Sequence, residues 1–195
     1  MIFARSVPGV TYADITRYRP RLRRDFRFRC AYCLTHEFYL GGEAGCEIDH
    51  HRPRRGRFAR PDLAAVYENL YWVCRECNQN KSDTWPTDDE YSRGQRFLDP
   101  CRETDDHDAH WITRADGQLV LLTPTGQYTV ENLLLWREQL MFLRARCHQW
   151  QRESLELHRL LDTHEVTAAQ RLRIEQRLAD LAERIEPPTF NRPHR

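Results

Sequence analysis

From residue 110 the chain reads HWITRADGQLVLLTPTGQYTV, with apolar and polar positions alternating on both sides of an Asp-Gly pair. That is the pattern of a β-hairpin, because Asp-Gly accepts the positive φ that a tight turn demands. The pattern then changes period. ENLLLWREQLMFLRARCHQWQRESLELHRLLD repeats apolar residues at helical spacing and predicts a helix of about nine turns. Its stripe of Leu133, Leu134, Trp136, Leu140, Phe142 and Leu143 reads as core or helix-hairpin contact, with a partner surface as the alternative. A second helix is expected over 166–185, after Asp162-Thr-His-Glu165, which has the spacing of a capping box. Upstream, short β-like stretches lie at 47–49 and 70–73, and YADITRYRPRLRRDF predicts a short helix interrupted at Pro20. The tail EPPTFNRPHR has no pattern that would order it and is expected to be mobile. There is no internal repeat. These changes of pattern divide the 195 residues into an Arg-rich segment at 1–29, a core at 30–100 and a hairpin-plus-helices region at 101–195, an α+β organisation.

Charge alters this picture only locally. The 30 basic and 29 acidic residues nearly cancel, so net charge names no partner. Residues 1–29 nevertheless hold eight arginines against Asp14 and Asp25, and 51–61 hold five arginines and no acid. No apolar run approaches the roughly 18 residues of a membrane span, and MIFARSVPGV lacks the apolar core of a signal peptide, so no membrane partner and a cytoplasmic location are expected.

Seven cysteines would be unusual as a disulfide framework in that compartment, and four of them have a different logic. Cys30 and Cys33 form CAYC, and Cys74 and Cys77 form CREC. Two such knuckles supply the tetrahedral sulfur shell of a closed structural Zn²⁺ site, which has no open position for water and so staples the intervening segment. Cys46, Cys101 and Cys147 read as small packed hydrophobes.

The stapled segment opens with CEIDHHRP, has Asn69 before the apolar run LYWV, and closes with CRECNQNKSD. A knuckle, a strand ending in Asp-His, a loop, a central Asn and then C-x-x-C-N-x-x-K entering a helix resembles the HNH (ββα-metal) endonuclease family over about residues 26 to 85. The resemblance implies a zinc-stapled ββα-metal nuclease core. It implies that Asp49 binds a catalytic metal, His50 is the general base, Asn69 fixes the loop and Asn78 is the second metal ligand. Where the family name specifies a third His, this chain has Asn78, as several subfamilies do. A site with two oxygen ligands and no imidazole favours Mg²⁺ or Mn²⁺. If the register shifts by one, His50 becomes the ligand and His51 the base.

The expected activity is metal-dependent hydrolysis of phosphodiester bonds in DNA, with Arg52, Arg54, Arg55, Arg57 and Lys81 facing the backbone. The alternatives are an RNA-directed nuclease and a non-catalytic zinc-knuckle module that binds nucleic acid or acts as an adaptor. Farther on, RFLDPCRETDDHDAHW, ADGQL and GQYTVENLLLWREQLMFLR look like the downstream region of small stand-alone bacterial HNH proteins encoded beside retrons or anti-phage ATPases. That resemblance implies an ATPase or another defence protein as partner.

Overall fold

The computed structural model describes residues 3–6, 9, 11–102, 104–163 and 166–189. Near the N-terminus, α1 (Arg19–Asp25) carries Pro20 in its first turn. The proline therefore starts this helix and does not interrupt it, because the N–H it lacks is one that a first turn leaves unpaired. Leu22 of α1 enters the core beside Phe3, Tyr18 and Phe26, so much of the Arg-rich segment is packed.

Two strands organise the centre. Antiparallel β1 (Cys46–His50) and β2 (Leu70–Cys74) pair from Cys46↔Cys74 at one end to His50↔Leu70 at the other. Every residue of β2 is buried, as its unbroken apolar run requires. Helix α2 (Arg75–Lys81) follows at once, with Cys74 as its N-cap, so the second knuckle, the strand end and the helix start are one structure. Short helices α3 (Asp88–Ser92), capped reciprocally by Thr87 and Glu90, and α4 (His107–His110) lead to the second sheet.

That sheet is the expected hairpin, β3 (Trp111–Thr113) against β4 (Leu119–Leu121). Its turn needs Gly117, whose φ is +83° and where a Cβ would sit 1.9 Å from the Met141 carbonyl oxygen. The strands are shorter than the alternation suggested. TPTGQYTV folds as α5 (Pro124–Asn132), whose N-cap Thr123 accepts a hydrogen bond from the Gly126 amide. The nine-turn helix is also divided. The chain turns after α5, with Leu134 at φ +49°, and α6 begins only at Glu138 and runs to Thr163. Periodicity could not reveal this break, because Leu133, Leu135 and Leu140 are all buried on both sides of it.

The last helix, α7 (Ala168–Ile185), is capped by Thr167 and Gln170, not by the Asp162–Glu165 pattern; Asp162 lies inside α6, and His164 and Glu165 fall outside the described residues. Helix α7 packs on α6 through Leu181 and an Arg177–Glu153 ion pair at 2.6 Å. It ends against the first knuckle region, where Tyr39 donates to the Arg184 carbonyl at 2.5 Å and Arg29 pairs with Glu186 at 2.6 Å. The apolar stripe is split: Leu133 and Leu140 are core, while Leu134, Trp136 and Phe142 are exposed. Residues 190–195 of the tail lie outside the described residues. No helix among those described is long and apolar enough to cross a membrane.

Candidate functional site

Cys30 and Cys33 occupy a tight turn that the Ala31 amide fastens to β2 by a 2.8 Å hydrogen bond to the Trp72 carbonyl. This brings the first knuckle against the second. All four sulfurs are buried and lie within 4.8 Å of one another. A tetrahedral site with Zn–S bonds of about 2.3 Å separates its sulfurs by about 3.8 Å, and the Cys33–Cys74 distance is 4.0 Å. The Cys77 amide points at the Cys74 sulfur at 3.4 Å, as expected where a thiolate is stabilised. Burial pushes the pKa of the Cys30 thiol well up, whereas hydrogen bonds led by that from Cys30 pull the pKa of Cys33 well down. Four sulfurs this close need a cation to ionise together, and the set fits zinc.

Strand alternation sorts the DHH run. Glu47 and Asp49 share one face of β1 and meet α2, where Asn78 and Lys81 lie about one turn apart. Asn78 donates to Glu47 at 2.6 Å, and Lys81 donates to Asp49 at 3.1 Å and to the His50 carbonyl at 2.8 Å. The second oxygen of Asp49 accepts from the Tyr32 hydroxyl at 3.1 Å. No described hydrogen bond joins Asp49 to Asn78. Lys81 is 0% exposed and lies 5.6 Å from the centre of the Phe97 ring, so in this conformation it faces the protein interior and not a nucleic-acid backbone.

His50 points the other way. Its Nε2 lies 2.8 Å from the Ala64 carbonyl oxygen. A carbonyl can only accept, so Nε2 carries the proton and Nδ1 of the neutral ring keeps its lone pair. Burial lowers the pKa of His50 below its ordinary value, against the Ala64 hydrogen bond, so the ring is neutral at pH 7. His51 is packed differently. It stacks on Tyr71 at 4.7 Å, meets Trp85 edge-on and hydrogen-bonds Tyr32 through Nδ1 at 3.2 Å. Part of its surface reaches solvent, yet this packing pushes its pKa down to about 4.

Asn69 ties down the loop after β1. Its side chain accepts from the Arg52 amide at 2.7 Å and donates to the Arg52 carbonyl at 3.0 Å, while its own carbonyl accepts from His51 at 2.8 Å. In that loop Arg54, Arg55 and Arg57 are exposed, and the Arg52 guanidinium lies 4.6 Å over the Trp85 ring.

Sequence reasoning gave no role to Glu47, Tyr32 or Arg137. Glu47 was legible through the period of two, which puts residues 47 and 49 on one face. Tyr32 and Arg137 were not, since they arrive from distant segments. The Arg137 guanidinium lies 3.3 Å from the Cys77 sulfur and 3.8 Å from that of Cys74, and pairs with Glu76 at 2.9 Å.

Residues 30–84 match the family model described as HNH endonuclease. Comparison with curated proteins and with solved structures gives no match. The matched segment is similar to a nuclease or nucleic-acid-binding domain, and the mixed α+β structure with its four-cysteine cluster is compatible with a zinc-binding fold of that kind.

Proposed function

We propose that the chain is a metal-dependent endonuclease that hydrolyses phosphodiester bonds in DNA, with His50 as the general base. The observation that carries this reading is the clamp between His50 Nε2 and the Ala64 carbonyl, which leaves Nδ1 to accept a proton, one residue from the oxygen-bearing side chains where β1 meets α2. The oxygens of Asp49, Asn78 and Glu47 are the donor chemistry of a hard cation, so Asp49 and Asn78 would hold Mg²⁺ or Mn²⁺, with Glu47 beside them. Such an ion supplies charge stabilisation to the phosphoryl group and the departing oxygen.

The protein's own residues do the rest. His50 takes a proton from the attacking water at Nδ1, a contribution of about 10² to 10⁴ in rate for a positioned base. Asn69 keeps the loop after β1 in register with β2, which fixes the chain on both sides of His51. Arg54, Arg55 and Arg57, exposed on that loop, attract the phosphate backbone without reading sequence. The zinc of the four cysteines would be structural. The looser downstream resemblance extends the proposal to anti-phage defence with an ATPase partner.

A second reading, a zinc-knuckle module that binds nucleic acid without cutting it, is favoured by one observation: Lys81 and Tyr32 already engage both oxygens of Asp49. Incubating supercoiled plasmid with purified protein separates the two. Nicking that needs Mg²⁺ or Mn²⁺ and disappears in His50→Ala supports the nuclease. Binding without nicking under both metals supports the module.

A further inference from the structure

A hollow of about 260 Å³ opens on the face of His51, the residue that follows the proposed base. It is lined by His51, Arg52, Leu63, Trp85, Tyr91 and Arg102, with Arg60, Arg96, Phe97 and Asp99 completing the wall. Its volume is below the roughly 300–1,000 Å³ of ordinary small-molecule sites, so it fits one ring system and its substituents, not an extended ligand.

Its chemistry is equally narrow. Three of the four arginines already face a carboxylate: Arg60 pairs with Asp62 at 2.6 Å, Arg96 with Asp105, and Arg102 with Asp99 at 3.8 Å. Arg52 has no such partner among the described residues, and its Nε is buried without a hydrogen bond. Its guanidinium lies 4.6 Å over the centre of the Trp85 ring and its backbone is gripped on both sides by Asn69, so it is a positioned cation with no carboxylate partner among the described residues. Tyr91 is 44% exposed at the rim. The lining thus offers flat surfaces for a planar ring and one free cation for one phosphate.

We propose that this hollow takes a single unstacked nucleotide of the DNA strand being cut, its base against Arg52, Trp85 and Tyr91 and its phosphate on Arg52. The proposal rests on the nuclease reading above and adds its substrate class: a strand that is single or locally opened next to the scissile bond. A base inside a duplex presents only its edge in a groove, whereas an unstacked base can lie on aromatic and guanidinium planes.

The test measures binding of the full-length, zinc-replete protein to a labelled single-stranded DNA oligonucleotide and to the same sequence as a duplex. Fluorescence anisotropy without added Mg²⁺ keeps the DNA intact. The single strand should bind more tightly, and Trp85→Ala should weaken it about tenfold while changing duplex binding less than about twofold. Because Trp85 packs on His51 and Phe97, the exposed Tyr91→Ala is the companion variant; it leaves the melting temperature in place and should weaken the single strand about threefold or more. Wild-type binding in both variants, or equal losses for single strand and duplex, would overturn the proposal. Because binding is read without cleavage, a protein that shows this preference but never nicks DNA refutes the nuclease reading alone.

Discussion

Replacing Lys81 by Met tests how the centre of the molecule is held together. Lys81 is 0% exposed and Asp49 4%, and they meet at 3.1 Å, so the substitution leaves a buried carboxylate without its countercharge. Breaking one side of a buried pair costs about 3–5 kcal/mol. Two features place Lys81→Met near the lower end. Met has similar length and volume, so no sizeable cavity forms, and Tyr32 still donates to the other oxygen of Asp49. A loss of about 3 kcal/mol should lower the melting temperature by roughly 6–12 °C in a protein of this size. Urea unfolding of zinc-replete protein, followed by circular dichroism, gives the free energy directly. Adding Asp49→Asn to Lys81→Met should return part of the loss, because neither charge is then stranded. A loss below about 1 kcal/mol in Lys81→Met, or a double variant no better than the sum of the singles, would show that the pair does not have the energetic role its burial implies.

The purified protein should contain one tightly bound zinc by elemental analysis, and Cys30→Ser or Cys77→Ser should lower the melting temperature sharply; a folded, reduced, zinc-free sample would refute the staple. His50→Ala should cut nicking by about 10² to 10⁴ with zinc content unchanged. His51→Ala should affect nicking much less but lower stability, because its ring is packed between Tyr71 and Trp85; an inactive His51→Ala beside an active His50→Ala would move the base by one residue. Burial lowers the pKa of His110 below 6.5, although Asp105 lies 3.5 Å away and pulls upward. The unfolded chain therefore binds the proton first, so this contribution is complete above pH 6.5 and is lost as pH falls below it. Melting temperatures at pH 5 and 7.5 should differ less in His110→Gln than in wild type, and an unchanged difference would refute the assignment.

The sequence made visible the features whose spacing a bound ion or a sheet requires. The two C-x-x-C pairs do converge, and the runs at 47–49 and 70–73 became the two strands of one sheet. What stayed hidden depends on where the chain turns in space. The helical period ran unbroken through 131–162, yet the chain turns between α5 and α6, since a turn whose flanking leucines are all buried keeps the same apolar rhythm. In TPTGQYTV the alternation suggested a strand, but Thr123 and Pro124 are a helix start, and the cap prevailed. A lone lysine among 29 arginines reads as surface charge, and only the register of α2 against β1 puts it inside. Glu47 was the one site residue within reach that went without a role.

The Arg137 guanidinium sits in the turn between α5 and α6 and grips the Leu133 and Leu134 carbonyls as well as the knuckle sulfurs. A zinc held by four thiolates would leave two negative charges in the interior, and this side chain, shared with Glu76, would offset part of that charge. The knuckles and the C-terminal arm are thus joined electrostatically at two places, Arg137 on the sulfurs and Arg29 on Glu186, and their stabilities are coupled. Removing such a metal should be felt as far away as the start of α6, and cleaving the chain near Gln127 should open the core where Val130, Leu133 and Leu140 are buried. Substitutions of Val130, Leu133 or Arg137 should therefore disturb the knuckles, whereas substitutions of the exposed Leu134 or Trp136 should not.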